Sequence, residues 1–362
     1  MNKRALRADI LLLLTAGIWG FGFVAQRSGM EYVGPFAYNG IRFILGSLSL
    51  LPLILLRRKT GPAAAEIAAD GGPSGLSGIR PPVPAGRASS PRGGAADRRR
   101  FFRCSLAAGS CLFVAVILQQ FGIMFTTAGN AGFITGLYVV LTPVFGIFLG
   151  RKTGPATWLG SVFTLGGLYF LSAAGHLESI NPGDIITMTS AVFWACHVLL
   201  IDRLVRGIER GIDPIALSSG QFAVCGIFSM TGAFLAEPFL TALAEKISPA
   251  FLAAGTFAWL PFPEFAAALF AGKIRFPAEA LVPVLYGGLG SVGIAYTLQV
   301  VAQRDAPPAH ATIILSLEGC FAALGGVLLL SEKVGRWTLL GFVLMLGGML
   351  ITQWEVIAGR SA

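Results

Sequence analysis

The sequence predicts an all-α membrane protein of ten transmembrane helices, arranged as two inverted repeats of five. Three observations carry this. The 362 residues are 54% hydrophobic and only 12% charged, about half the charge of an ordinary soluble domain. Ten stretches are apolar over the roughly 20 residues that a bilayer crossing takes. The second five stretches repeat residues of the first five, in order, at offsets of 175 to 181. This composition excludes a disordered chain. It also leaves too little polar surface to coat a soluble domain.

The ten spans are read at 8–28, 35–56, 102–125, 129–149, 156–174, 183–203, 214–235, 281–302, 309–330 and 336–356. Helices are expected because an open sheet cannot satisfy its backbone in lipid, and the alternation of a barrel strand is missing. Span one follows Lys3, Arg4 and Arg7 and runs uncharged from Ile10 to Ala25. Gln26-Arg27-Ser28 then lacks a small-residue cleavage pattern, so the stretch is read as a retained helix and not as a signal peptide. Span two opens at Pro35 and holds Arg42, and span three holds Gln119. Span four carries Asn130, a close-packing Gly132-x-x-x-Gly136, Tyr138 and Thr142-Pro143. Span five carries Gly160 and Gly166-Gly167, and span six carries Asp184, Trp194 and His197. Span seven opens at Pro214. Span eight holds Gln299 and Gly288-Leu-Gly290-Ser-Val-Gly293. That glycine pattern matches a dinucleotide fingerprint, but no strand precedes it, so close helix packing is expected instead. Span nine holds His310 and Glu318, and span ten repeats the glycines of span five at Gly341 and Gly347-Gly348.

Domain boundaries follow. Residues 1–56 and 102–174 form the first repeat; 183–236 and 281–356 form the second. Between spans two and three, 57–101 is read as a disordered basic cytoplasmic loop, rich in Pro, Gly, Ala and Ser without apolar periodicity. Residues 237–280 are an outer-side insertion. Their apolar run is interrupted by Pro261, Pro263 and Glu264, which favours an interfacial or re-entrant segment over an eleventh span.

A net charge of +9 raises nucleic acid as a partner, but its location argues against one. The 57–103 stretch holds ten basic and three acidic residues, which is +7 of the +9. Short basic loops stay in the cytoplasm. With both termini cytoplasmic, 20 of the 27 Lys and Arg fall on that side. The five cysteines form no C-x-x-C and are odd in number, so free thiols packing as small apolar groups are expected.

The repeat is carried by matched residues. Asp9-Ile10 and Trp19 return as Asp184-Ile185 and Trp194. Arg42-Phe43 returns as Gln221-Phe222, and Leu118-Gln119 as Leu298-Gln299. Five helices is an odd number, so the second copy enters the membrane upside down. Inverted repeats of this kind mark secondary transporters.

The pattern resembles the EamA-type drug/metabolite transporter (DMT) superfamily. The resemblance rests on Trp19-Gly20 with the phenylalanines after it and on Arg42-Phe43. It rests also on Asn130-Ala131-Gly132-Phe133-x-Thr135-Gly136-Leu137-Tyr138 with Thr142-Pro143, and on Ile314-Leu315-Ser316-Leu317-Glu318 closed by Glu332. It covers nearly all of the chain apart from 57–103 and 237–280. It implies ten helices and export or exchange of small metabolites or amphiphiles. The superfamily's second half reads Leu-Glu-Pro where this chain has Gly319 after Glu318, so one helix-kinking proline is missing.

The expected function is a secondary active transporter in a bacterial inner membrane, working by alternating access. An intramembrane enzyme of lipid or sugar precursors and a non-transporting scaffold remain as alternatives. Ionisable groups at membrane depth are costly and usually face a cavity or a partner. Glu318 is a candidate for a coupling proton or a cationic substrate, against a structural hydrogen bond to helix ends. Arg42 is a candidate for an anionic substrate, against pairing or reaching to the interface. Gln119 and Gln299, in equivalent positions, are candidates to flank a central cavity, against interhelical glue. Trp19 and Trp194 are cavity candidates or packing residues. Asn130, Tyr138, His197 and His310 complete the set. The expected partners are a small-molecule substrate, the lipid bilayer and coupling protons, with a homodimer admitted. No nucleic acid, cofactor, metal or catalytic residue is expected.

Overall fold

The computed structural model describes residues 3–30, 32–70, 95–125, 128–172, 182–206, 212–236, 278–330 and 335–357, and every regular element among them is helical. Helix α1 is Lys3–Met30, α2 Pro35–Asp70, α3 Ala95–Phe125, α4 Ala128–Gly136, α5 Tyr138–Phe148 and α6 Pro155–Ser172. Then come α7 Pro182–Arg206 and α8 Pro214–Thr231, which widens into a π-helical turn at Gly232–Ala236. A long rod follows: α9 Ala278–Leu285, a π-helical stretch Tyr286–Tyr296, and α10 Thr297–Ala302. The chain closes with α11 Pro308–Leu315, α12 Glu318–Leu330 and α13 Arg336–Ile357.

Among the described residues, six helical stretches are long and apolar enough to cross a membrane: Arg4–Phe23, Pro35–Arg57, Ala95–Phe125, Pro182–Arg206, Pro214–Leu235 and Ala278–Ala302. They coincide with spans one, two, three, six, seven and eight. The other four expected spans are helical too, but do not reach that standard. Spans four and nine are each broken into two short helices. Spans five and ten are α6 and α13, of 18 and 22 residues. The 57–103 stretch differs from expectation at its margins. Helix α2 continues to Asp70 and α3 begins at Ala95, so both ends of the expected loop are helical. Its centre, 71–94, and most of the 237–280 insertion lie outside the described residues.

Both breaks are rewired rather than left open, as lipid demands. At the first, Leu137 N–H donates to the Ile134 carbonyl and Val140 N–H to that of Leu137. At the second, Leu317 N–H donates to Ile314 and Gly319 N–H to Ser316. These i to i+3 turns carry the chain across each break without a proline at it. Tyr138 and Glu318 therefore head the second halves of two broken helices, at matching places in the repeat.

Packing joins the early helices to the late ones. Helix α1 lies against the α9–α10 rod and against α11 and α12, while α7 lies against α3 and against α4 and α5. Helix α2 packs on α8, and α6 on α13. The α6–α13 contact is a glycine seam. A Cβ on Gly160 would meet the Gly348 carbonyl, and one on Gly348 would meet that of Gly160, so backbones touch where side chains would prevent it. Two of the three fingerprint-like glycines also allow close packing. Gly288 lies against Leu45 and Gly293 against Ser49, both on α2. Gly136 admits Leu168, whereas Gly132 faces open space, so only one glycine of that pair packs. Phe43 and Phe222, counterparts in the repeat, are both fully buried, with ring centroids 6.1 Å apart.

Candidate functional site

A cavity lies where these helices meet. Helix α1 contributes Trp19, Phe23 and Gln26, α2 contributes Arg42, and α3 contributes Gln119. The first broken helix adds Thr135 and Tyr138, and α7 adds Trp194 and Val198. The long rod adds Ser291, Tyr296 and Gln299, and the second broken helix adds Leu315 and Glu318. The space not filled by atoms, mouth included, is about 490 Å³.

One wall is aromatic. The Trp19 and Tyr296 ring centroids are 4.5 Å apart, Trp194 and Tyr296 5.9 Å, and the repeat counterparts Trp19 and Trp194 6.3 Å. Trp19 is fixed by its indole N–H, which donates to the Ser291 carbonyl at 3.2 Å. Thr15, one turn earlier, donates to the Ala295 carbonyl, so α1 is pinned along the rod. The polar wall is less satisfied. Gln119 donates its amide to Thr135 at 3.2 Å. Gln299 is fully buried, and among the described residues neither its amide oxygen nor its nitrogen has a partner. Such an unpaired buried amide costs about 1–3 kcal/mol.

The charged residues stand apart. Arg42 is 2% exposed, with its guanidinium over Tyr38 at 5.4 Å and Phe43 at 5.1 Å. Glu318 is 8% exposed, at the first residue of α12. There the helix dipole favours a carboxylate. Among the described residues neither side chain has a salt bridge.

A second pocket, with about 1180 Å³ of open space, lies toward the end of the bundle that carries Asp9 and Arg151. Thr142, Arg151, Lys152, Leu199, Arg206 and His310 are in its lining. The two pockets adjoin: α5 lines the first with Tyr138 and the second with Thr142, one turn on, and α7 lines the first with Val198 and the second with its neighbour Leu199. Three contacts between acidic and basic side chains brace this end. His310 Nε2 and Asp9 Oδ1 are 2.8 Å apart, joining α11 to α1. Arg151, in the loop after α5, pairs with the buried Asp202 of α7, which Arg206 also approaches at 3.5 Å.

Of the residues singled out from sequence, Glu318, Arg42, Gln119, Gln299, Trp19, Trp194 and Tyr138 are brought together in the central cavity. Two are not. His197 is fully buried in a helix contact, 2.9 Å from Gln221 Oε1. His310 belongs to the second pocket and its ion pair. Asn130 lies in α4, and its side chain is outside what the structure describes. Sequence reasoning missed Tyr296, Thr135 and Gln26 in the cavity, and the charge cluster around Asp202. Tyr296 had one available signal, its place three residues before Gln299, which puts both on one helix face. The five cysteines are free; Cys196 is exposed while Cys104 and Cys225 are buried.

Comparison with known proteins is consistent in kind. The sequence profile described as the EamA-like transporter family matches residues 6–79 and 236–354. An uncharacterized transporter of Archaeoglobus fulgidus is 24% identical over 98% of this chain and 88% of its own length. The uncharacterized inner membrane transporter YedA of Escherichia coli K12 is 23% identical over 66% of this chain and 65% of its own. A solved crystal structure with 15% identity superposes over 98% of this chain and 99% of that one, at a TM-score of 0.63. That likeness is one of fold.

Proposed function

Because the chain belongs to the EamA-like transporter family, we propose that this multi-pass membrane protein is a secondary active transporter. It exports or exchanges a small metabolite or amphiphile across a bacterial inner membrane by alternating access. The observation that carries the reading is the central cavity, lined from both halves of the chain, where among the described residues Arg42 Nε and both amide atoms of Gln299 have no hydrogen-bond partner. A merely structural bundle would have paired them or replaced them with apolar residues.

The arrangement is that of two five-helix units inverted with respect to each other. In support, α1 packs on spans eight and nine as α7 packs on spans three and four. The counterparts Trp19 and Trp194, and Phe43 and Phe222, touch each other. Discontinuous helices near a central site are characteristic of such transporters. The distribution of Lys and Arg supports cytoplasmic termini. Coupling comes from protons or from exchange of solutes.

Purified protein in proteoliposomes tests this directly. Imposed pH and solute gradients should drive uptake of at least one metabolite class in the absence of nucleotide. Flux that needs ATP, or no flux for organic cations, anions, zwitterions and neutral sugars alike, would count against it.

A further inference from the structure

Beside the central cavity lies the second pocket, with about 1180 Å³ of open space at the Asp9 end of the bundle. We propose that it is a binding site for a phosphoryl group, carried by an anionic phospholipid headgroup or by a soluble phosphate. The first observation is charge. Arg151, Lys152 and Arg206 all line the pocket. The neighbouring acids do not balance them. Asp202 is shared between Arg151 and Arg206, and Asp9 is held by His310. An excess of positive charge therefore faces the space. The two guanidinium groups offer donors in the fork geometry that suits phosphate oxygens, and the ammonium adds a point charge.

The second observation is how the backbone meets the pocket. Helix α5 ends in a turn around Gly150, whose φ of 71° is left-handed. Leu149 and Arg151 N–H donate to the Gly146 carbonyl, and Gly150 N–H donates to that of Ile147. Carbonyls that would repel an anion are thereby occupied, and the chain turns Arg151 and Lys152 into the pocket wall. Helix α11 begins in the same wall, at Pro308, with no side-chain cap on its first turn. The positive end of a helix favours an anion there.

The third observation points to a ligand. Thr142 is fully buried in the pocket wall, and its hydroxyl has no hydrogen-bond partner among the described residues. A helical threonine commonly donates to the carbonyl four residues back. Thr15, Thr187 and Thr352 do so in this chain. Thr142 does not, and a phosphoryl oxygen would accept its proton. The rim favours lipid as the source. Ile147, Phe148 and Leu149, just before the basic pair, expose apolar side chains. Acyl chains can lie along them while the headgroup enters, as anionic headgroups enter basic pockets between membrane helices.

The test uses the full chain in nanodiscs of phosphatidylcholine, whose phosphates are already paired with choline. In one arm phosphatidic acid or phosphatidylglycerol replaces part of the lipid. In the other, inorganic phosphate or glycerol 3-phosphate is titrated at constant ionic strength. Stabilisation against thermal unfolding in the first arm identifies a lipid source, and in the second a soluble one. Thr142→Val removes the hydroxyl but keeps the shape, and Lys152→Gln removes one charge from an exposed loop. Neither should lower the unfolding temperature without ligand. Thr142→Val should weaken phosphoryl binding by about tenfold, the loss of one hydrogen bond to a charged group. Lys152→Gln should weaken it too, and Lys152→Arg should retain it. Arg151→Gln is a poorer test, because it takes a partner from the buried Asp202. No stabilisation in either arm, or stabilisation left unchanged by Thr142→Val or by Lys152→Gln, would overturn the proposal. The site stands apart from the transporter reading. Phosphoryl binding in a protein that gives no flux leaves the site and counts against the transporter. Flux without phosphoryl binding leaves the transporter and removes the site.

Discussion

Trp19 and Gly20 are neighbours on α1 with opposite tasks. Trp19 turns its ring into the cavity. Gly20 turns its missing side chain toward α12, where a Cβ would stand 2.7 Å from the Glu318 carbonyl oxygen and 2.8 Å from the Ala322 backbone nitrogen. Backbone atoms cannot yield as the end of a flexible side chain can. Gly20→Ala should therefore push α12 away and carry Glu318 with it. The expected cost is about 1–3 kcal/mol of stability, with a matching loss of transport. Gly166 is the control, because among the described residues nothing lies within 4 Å of its would-be Cβ. Gly166→Ala should be neutral or stabilising by up to about 1 kcal/mol, through helix propensity. Thermal unfolding and proteoliposome flux of both variants decide the matter. Equal behaviour of the two would mean that α1 and α12 are not in contact at Gly20. The sequence marks Trp19-Gly20 as a unit, but does not say which of the two faces solute and which faces helix. That division depends on which helix lies opposite.

The same limit applies to whole elements. Helices were readable from apolar length alone, since a helix in lipid needs no amphipathic pattern to declare itself. Facing was not readable, because these helices are apolar all round. His197 and Gln299 are both polar residues inside apolar stretches, yet one closes a contact with Gln221 and the other opens on a cavity. The break in span four falls at Leu137, six residues before Pro143, so the proline marks the wrong place. The break in span nine has no proline at all. Charge at the helix ends tells more about motion. Asp202 on α7 holds Arg151 and Arg206 beside the second pocket, whose wall includes the fully buried Thr142. If this cluster keeps that end shut, Asp202→Asn should favour opening. A cysteine placed at Thr142 should then react with a membrane-impermeant thiol reagent about tenfold faster, a shift of about 1.4 kcal/mol. An unchanged rate would assign the cluster to folding and not to closure.

At the scale of the molecule, the Asp9–His310 pair sits at one end and the repeat counterpart of Asp9 at the other. Asp9 pairs with His310, while its counterpart Asp184 lies at the opposite end of the bundle, at the start of α7. Alternating access requires the two ends to open in turn, so a tie across one end should stop transport without destroying the site. Asp9→Cys with His310→Cys places two thiols where a 2.8 Å contact now joins α1 to α11. Bridging them with a short bifunctional thiol reagent should abolish flux. Solute binding should persist, since the cavity reaches toward the other end at Phe23 and Gln26, away from the tie. Cleaving the linker should restore flux. Undiminished flux in the bridged protein would mean that α1 and α11 do not separate during transport, and the two-halves mechanism would fail with it. Loss of binding together with flux would point instead to a site loaded only from the Asp9 end. The pairing of these two readouts is what a bundle of fixed helices cannot imitate: it would lose neither on bridging, or lose both by distortion.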